Sequence, residues 1–271
     1  MRDLRVTLVQ SATRWHDAAA NRALFDARLA KVERGATDLV VLPEMFSTGF
    51  TMASAEQAET MDGPTVAWLQ AQAASLDAAV CGSLVIEDAG RYVNRFLAAL
   101  PDGELVVYDK RHLFRMAGED EHYAAGQERV VFTFRDWRIC PQVCYDLRFP
   151  TFCRNRLDDP AAAYDLLLFV ANWPAARALH WRTLLGARAI ENQAWVVAVN
   201  VLGTDGAGVT YQGDSGVWSF SGEATLALGD ADRDGVCTLD AAGLQDWRAT
   251  FPAWKDADAF TLDAATPSDG A

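Results

Sequence analysis

Two uninterrupted apolar runs constrain the fold of this 271-residue chain more than any other feature. Residues 39–42 read Leu-Val-Val-Leu, and the segment 164–171 contains a second, longer run of the same kind over residues 166–171. A strand that is apolar at every position is buried on both faces, whereas a strand with one wet face alternates apolar and polar residues. The chain therefore needs covering layers on its sheets.

Helical and strand-like patterns alternate along the chain. Apolar residues at helical spacing predict helices over 17–34, 65–77 and 177–193, with Gly35 placed where a glycine commonly ends a helix. Strands are predicted over 4–10, 38–43, 79–86, 92–100, 104–108, 130–134, 138–143, 164–171, 195–201, 217–220, 225–228 and 236–239. The turn Pro101-Asp102-Gly103 joins two of them in a hairpin. The pattern predicts an α/β protein whose sheets are covered by helices and include antiparallel strands.

The chain shows no linker rich in Pro, Gly or Ser and no internal repeat. We therefore expect a single domain over residues 1–260. Residues 261–271 are small and polar, and we expect a disordered tail there.

Charge and cysteine content exclude several classes of protein. The formal net charge of -13 repels polyanions, so nucleic acid and anionic membranes are poor partners. No apolar run approaches the roughly 18–20 residues of a membrane helix, and the first apolar run is too short for a signal peptide. The five cysteines are scattered, which fits a reducing, cytoplasmic environment better than a disulfide framework.

Cys144 stands where a strand-like run gives way to helix-compatible sequence. The run 137–143 stops at this cysteine, and Asp146 follows two residues later. A thiol at such a turn is mounted on a rigid element, and the first N–H groups of a helix favour a thiolate and an oxyanion. The segment therefore predicts a nucleophile.

Other charged residues also follow strand-like runs. Glu44 comes directly after the run 39–42, and Lys110 follows the predicted strand that ends at residue 108. Each residue alone is typical of a solvated loop. A carboxylate among apolar residues is destabilised in its charged form, however, and therefore suits proton transfer near neutral pH. Glu119 and Glu121 lie in an acidic loop, and either is a candidate to hold Lys110 or Glu44 in place.

Together, Glu44, Lys110 and Cys144 resemble the Glu–Lys–Cys triad of the nitrilase, or carbon–nitrogen hydrolase, superfamily. Four segments carry the resemblance in family order: Leu42-Pro43-Glu44-Met45-Phe46, Lys110-Arg111-His112-Leu113-Phe114, Val143-Cys144-Tyr145-Asp146-Leu147-Arg148-Phe149-Pro150 and Arg188-Ala189-Ile190-Glu191-Asn192-Gln193. The stretch Phe114-Arg115-Met116-Ala117 is closest to the ω-amidase-like branch. Thr151 departs from the Glu that many members carry there, and Phe220 stands where a proline is usual.

The resemblance implies an α-β-β-α sandwich, commonly a homodimer, and an amide hydrolase that works through a cysteine thioester without a metal or organic cofactor. By the same resemblance, Cys144 is the nucleophile and Glu44 the base. Lys110 and the backbone N–H of Tyr145 would hold the oxyanion. Glu119 matches the family's second glutamate, with Glu121 as the alternative, and would orient Lys110 and the substrate.

An ω-amidase acts on short dicarboxylic monoamides such as 2-oxoglutaramate or 2-oxosuccinamate. The far carboxylate of such a substrate needs a cation or backbone donors, and Arg115 and Arg177 are the candidates. Arg148 is expected to stabilise its own turn by ion pairing. Asn172 and Trp173 follow an apolar strand and are placed to line the pocket, although Trp173 fits core packing equally well.

Two other interpretations remain open. A nitrilase or an N-carbamoyl hydrolase would use the same triad, and ammonia release from the different substrates would separate them from an amidase. A catalytically silent binding protein on this fold is the other alternative, and the intact triad argues against it. In every enzymatic case the partner is a small molecule.

Overall fold

The computed structural model describes residues 1–159 and 163–262, and its strands form two large sheets. In chain order the strands are β1 (Leu4–Val9), β2 (Leu39–Val41), β3 (Ala79–Asp88), β4 (Arg91–Ala99), β5 (Leu105–Asp109), β6 (Phe132–Phe134), β7 (Trp137–Val143), β8 (Leu166–Ala171), β9 (Trp195–Asn200), β10 (Leu202–Thr204), β11 (Thr210–Gln212), β12 (Gly216–Trp218), β13 (Ala224–Ala227) and β14 (Asp234–Leu239). The first sheet has the order β14-β1-β2-β3-β4-β5 and the second β13-β12-β9-β8-β7-β6. β10 and β11 form a separate ribbon.

The helices connect these strands. They are α1 (Ala18–Leu29), α2 (Ser54–Gln57), α3 (Pro64–Leu76), α4 (Glu119–His122), α5 (Pro150–Cys153), α6 (Ala178–Asn192) and α7 (Ala241–Thr250), with 3-10 turns at Arg115–Ala117, Cys144–Arg148, Ala175–Arg177 and Ala253–Asp256. Among the described helices, none has both the length and the apolar character needed to cross a bilayer.

Each large sheet is parallel at its centre and antiparallel at its edges. β1, β2 and β3 run parallel in the first sheet, as β7, β8 and β9 do in the second. Carboxyl ends of adjacent parallel strands meet at one edge of a sheet, where open α/β sheets bind their ligands. The residues that follow β2, β7 and β8 are therefore gathered at such edges.

The continuous apolar runs are buried on both faces, as their sequence requires. In β2, Leu39 and Val41 pack into the core shared with the second sheet, whereas Val40 packs with Phe25 of α1 and Leu69 of α3. Trp181 and Leu185 place α6 against the second sheet. The layers are thus helix, sheet, sheet and helix, which confirms the predicted α-β-β-α sandwich.

Some element boundaries differ from those predicted. The first helix ends at Leu29 and not at residue 34, because the next residues turn and Gly35 donates its N–H to Leu76 O, 2.9 Å away at the end of α3. Gly35 is therefore not the helix cap. α7 was not predicted; Gly243 weakens its helical pattern, while Asp240 caps it by accepting from Gly243 N. Of the predicted disordered tail, residues 263–271 lie outside the described residues.

Candidate active site

Glu44 lies just beyond the end of β2, and its side chain is fully buried. Met45, the next residue, has a left-handed backbone with φ of +42°. Asn172, just after β8, donates its backbone N–H to Glu44 Oε2 at 2.7 Å and its side-chain amide to Glu44 O at 2.7 Å. These bonds link the ends of two strands from different sheets. The bond from Asn172 N also gives the carboxylate a polar donor where the sequence suggested apolar neighbours.

Lys110 follows β5 directly and is held on both sides by backbone hydrogen bonds. Its N–H donates to Asn94 O and its carbonyl accepts from Gly126 N, each at 2.9 Å. Gly126 cannot carry a side chain here, because a Cβ would lie 2.0 Å from Asp109 O. The buried ammonium of Lys110 contacts Glu44 Oε1 at 3.0 Å, so the structure brings these two predicted residues together.

The second glutamate at the site is Glu119, not Glu121. Glu119 opens α4 and is fully buried, and its two oxygens lie 2.9 and 2.8 Å from Lys110 Nζ. Phe114 N donates to Glu119 Oε2 at 2.6 Å. Glu121 is exposed. Of the two acids that the sequence left open, the structure therefore places Glu119 beside Lys110.

Burial and charge act in opposite directions on these groups. Burial disfavours the ammonium of Lys110, but the carboxylates of Glu119 and Glu44 outweigh it and hold the lysine pKa above its usual range. Burial raises the pKa of Glu119, and the charge of Glu44 raises it further, against the attraction of Lys110. Lys110 is therefore a permanent cation between two acids.

Cys144 follows β7 at the start of a 3-10 turn and lines the same cavity as Lys110. Its backbone φ is +46°, a conformation that non-glycine residues adopt only when their surroundings enforce it. Burial, and then the charge of Glu44, raise the pKa of Cys144 well above its ordinary value, although Lys110 acts to lower it. A thiol with a raised pKa needs a base to release its proton, which is the role that the resemblance implies for Glu44.

Asp146 connects the cysteine segment to the lysine segment. Its buried carboxylate accepts hydrogen bonds from Tyr108 OH at 2.7 Å, Val143 N at 2.9 Å and His112 N at 3.0 Å. The ring of His112 adds a contact from Nδ1 at 2.7 Å and stacks on Phe149. The sequence placed an acid two residues after the cysteine but gave no sign of these partners.

A cavity of about 720 Å³ opens beside Cys144 and Lys110. Tyr145, Asn172 and Trp173 line it together with Cys144 and Lys110. Its other lining residues include Phe50, Phe114, Arg148, Pro174, Arg177 and Tyr211. The walls are thus largely apolar, with a few charged groups.

The two arginines of the cavity are Arg148 and Arg177. Arg148 lies over the ring of Trp173 at 4.6 Å, and Arg177 over the ring of Phe114 at 5.4 Å. Arg148 was expected to form an ion pair, but no carboxylate of residues 1–159 or 163–262 forms a salt bridge with it or with Arg177. Burial, and then the charge of Arg177, lower the pKa of Arg148.

Arg115, the other predicted carboxylate anchor, does not line the cavity. Its side chain is 71% exposed and pairs with Asp120 at 2.7 Å. Arg148 therefore replaces Arg115 as a candidate to bind the far carboxylate of the substrate. Within the described part of the chain, no cluster of three or more His, Cys, Asp or Glu side chains is arranged to hold a metal ion.

Comparison with known proteins agrees with this geometry. The family model described as carbon-nitrogen hydrolase matches residues 5–249. The chain is 49% identical to a protein named omega-amidase YafV from Yersinia enterocolitica, over 97% of this chain and 100% of that one. It is 33% identical to a 2-oxoglutaramate amidase of Bacillus subtilis, over 62% of this chain and 65% of that one.

A solved structure is similar over the same length. It is XC1258 from Xanthomonas campestris, described as a CN-hydrolase superfamily protein with an arsenic adduct in the active site. It has a TM-score of 0.94 and 51% sequence identity, and covers 97% of this chain and 100% of that one. The chain therefore belongs to the carbon–nitrogen hydrolase family of the nitrilase superfamily, and it is a hydrolase that acts on carbon–nitrogen bonds.

Proposed function

We propose that the chain hydrolyses the terminal amide of short dicarboxylic monoamides, of the 2-oxoglutaramate or 2-oxosuccinamate type, to the acid and ammonia. The observation that carries this proposal is one cavity that holds Cys144 and Lys110 together with the guanidinium groups of Arg148 and Arg177. The relatives named omega-amidase and 2-oxoglutaramate amidase support the same class of substrate.

The two arginines supply the site for the far carboxylate. Arg148 and Arg177 repel each other, and no salt bridge to a described acid relieves that repulsion. A carboxylate bound between them would satisfy both, with charge-assisted hydrogen bonds that are stronger than neutral ones. A neutral amide of the same length would gain no binding energy from these two arginines. The amide end of the substrate then points to Cys144.

The first half of the reaction forms a thioester. Glu44 takes the proton from Cys144 Sγ as the sulfur attacks the amide carbon, since burial and the charge of Glu44 hold the pKa of the thiol above its ordinary value. Lys110 Nζ and the backbone N–H of Tyr145 stabilise the oxyanion of the tetrahedral intermediate. Glu44 returns the proton to the nitrogen, the C–N bond breaks, and ammonia leaves.

The second half hydrolyses the thioester. Glu44 takes a proton from water, and the hydroxide attacks the acyl carbon. The intermediate collapses, the C–S bond breaks, and the sulfur recovers its proton from Glu44 as the acid departs. Glu119 holds Lys110 in place through both of its oxygens. No step of this sequence calls for a metal or an organic cofactor.

Ammonia release from 2-oxoglutaramate tests the proposal. The wild type should release ammonia, Cys144→Ala should not, and Cys237→Ala should match the wild type, since Cys237 lies on β14 away from the cavity. Near-wild-type turnover by Cys144→Ala would exclude the thioester. Preference for uncharged or long aliphatic amides, nitriles or N-carbamoyl compounds would exclude the proposed substrate class.

We further propose a homodimer in a reducing, cytoplasmic setting. All five cysteines are free. Leu179 and Ile190, eleven residues apart on α6, are exposed apolar side chains on one face of that helix. Light scattering of the wild type and of Leu179→Asp would test the dimer: a monomeric wild type contradicts it.

A further inference from the structure

Asn94 contacts the three charged residues at the site, which are Glu44 and Lys110 of the triad and the neighbouring Glu119. It lies in β4 and is fully buried. Its side-chain amide donates to Glu44 Oε1 at 2.8 Å and to Glu119 Oε1 at 3.2 Å. Its backbone carbonyl accepts from Lys110 N at 2.9 Å. A neutral amide thus bridges two buried carboxylates that share one lysine.

Ser83 fixes which way this amide faces. Met45 N, which can only donate, gives a hydrogen bond to Ser83 Oγ at 2.9 Å. The hydroxyl of Ser83 therefore donates onward to Asn94 Oδ1, 2.8 Å away. With its oxygen held there, Asn94 presents both of its N–H bonds to Glu44 and Glu119. A flipped amide would place its oxygen against two carboxylates and lose the bond from Ser83.

The neutrality of Asn94 matters because of the local charge. With both acids ionised, Glu44, Glu119 and Lys110 carry a net charge of about minus one, which burial makes costly unless every oxygen has a donor. A second cation in place of Asn94 would neutralise the base, and an apolar residue would leave two oxygens short of donors. An amide supplies the donors without adding a charge.

We propose that Asn94, oriented by Ser83, is a positioning residue that supplies the Glu44 carboxylate with a hydrogen-bond donor and holds it in the orientation that the reaction needs. This inference rests on the role proposed for Glu44 and not on the identity of the substrate. Five titratable groups lie around Asn94 and Glu44. They are Lys110 beyond β5, Glu119 of α4, Tyr123 after α4, Cys144 beyond β7 and Tyr211 of β11. None of them donates to Asn94 Oδ1.

Asn94→Leu, which keeps the size but removes the donors, is the first test. Loss of a hydrogen bond to a charged group should lower kcat about 10- to 100-fold with KM little changed. The acidic limb of the kcat profile should move to higher pH, because a carboxylate that loses a donor is more easily protonated. Asn94→Asp should lose more activity, since it adds a third carboxylate.

Asn155→Leu is the matched control. Asn155 is a buried asparagine that donates to Tyr164 O and Asn192 O, away from the cavity. Its loss should lower the melting temperature but leave the pH profile of the folded enzyme unchanged. An Asn94→Leu enzyme with the wild-type pH profile, and with activity lowered only as in the control, would overturn the proposal.

Two substitutions of Ser83 test the same proposal if Asn94→Leu does not fold. Ser83→Ala removes the hydroxyl that orients Asn94 and should shift the acidic limb the same way, with a kcat loss of about tenfold. Ser83→Thr keeps the hydroxyl and should restore the profile. Equal profiles for wild type, Ala and Thr would overturn the inference. If 2-oxoglutaramate is not hydrolysed, the proposed substrate fails, and these variants are measured with an amide that is.

Discussion

Tyr108 and Asp146 are joined by a 2.7 Å hydrogen bond that crosses from the first sheet to the second. Tyr108 lies in β5, two residues before Lys110, and Asp146 lies two residues after Cys144. Burial, and then the charge of Asp146, raise the pKa of Tyr108 well above its ordinary value, so the phenol remains a neutral donor. This bond fixes the position of Lys110 relative to Cys144.

Tyr108→Phe should therefore reduce both stability and turnover. The lost hydrogen bond to a charged group should lower the free energy of unfolding by about 1.5–3 kcal/mol. kcat should fall as well, because the hydrogen bond that connects the Lys110 segment to the Cys144 segment is lost. Urea unfolding and ammonia release measure the two effects.

Tyr164→Phe is the control for that variant. The buried Tyr164 hydroxyl donates to Cys153 O, away from Lys110. It should cost stability without changing kcat per folded enzyme. Equal kcat losses in the two variants would show that Tyr108 acts only through general stability.

Glu44→Gln should separate thiol reactivity from catalysis. The charge of Glu44 raises the pKa of Cys144 while Lys110 lowers it, so neutralising Glu44 should lower that pKa. The thiolate fraction at a given pH then rises, and alkylation by iodoacetamide should begin at a lower pH. Amide hydrolysis should fall about 10²- to 10⁴-fold with the loss of the base.

Mass spectrometry of labelled Cys144 across pH measures this shift. The background should be Cys237→Ala, since Cys237 is the half-exposed cysteine and Cys81, Cys140 and Cys153 are buried. An alkylation profile that stays in place or moves to higher pH would contradict the electrostatic account of the thiol.

Arg148→Ala should discriminate between charged and neutral substrates. Loss of one carboxylate partner should raise KM for 2-oxoglutaramate about 10- to 100-fold, while KM for a neutral short amide stays unchanged. Arg177→Ala should act in the same direction. Arg115→Ala, outside the cavity, should change neither value. Equal effects of Arg148→Ala on both substrates would remove it from the carboxylate site.

Asp38 should control stability in acid. Its buried carboxylate is bonded to Arg2, Arg5 and Arg135. Burial alone would raise its pKa, but the bonds to Arg2 and Arg5 outweigh burial and hold the pKa well below the ordinary value of 3.8. Because the folded pKa is lower than the unfolded one, this stabilisation is complete above the unfolded pKa. It is lost as the pH falls through 3.8 towards the folded value.

Asp38→Asn should therefore be less stable than the wild type at pH 7, and the difference should shrink between pH 5 and pH 3. Urea unfolding at these pH values measures it. Asp62→Asn, at an exposed position, is the control and should show no such convergence. A difference that stays constant with pH would assign the effect to packing and not to charge.

Local sequence patterns predicted sheets covered by helices, whereas the four-layer sandwich and the Glu–Lys–Cys triad were implied by the resemblance to the nitrilase superfamily. Runs such as residues 39–42 are apolar only when both faces are covered, and Glu44, Lys110 and Cys144 each follow a strand. Partners distant in sequence could not be predicted in this way. Asn94 reads as one polar residue in a strand, and only the pairing of β4 with β3 and β5 places it between two glutamates.

Charged residues in loops were predicted least well, since their partners depend on the final surface. Arg115 and Arg148 have similar local sequence surroundings, yet one pairs with Asp120 in solvent and the other lies over Trp173 in the cavity. The pKa of Cys144 also depends on parts of the chain that are distant in sequence. Burial and the charge of Glu44, both set by tertiary packing, raise it above its ordinary value.

The shared core between the two sheets has a consequence for tuning the enzyme. Glu44 and Lys110 extend from first-sheet strands, whereas Cys144 extends from a second-sheet strand. Side chains such as Phe96 and Ile139, packed in that core, therefore act as the spacer between base and nucleophile. Turnover can then change through a single methylene deep in the protein, while every polar group of the reaction remains in place.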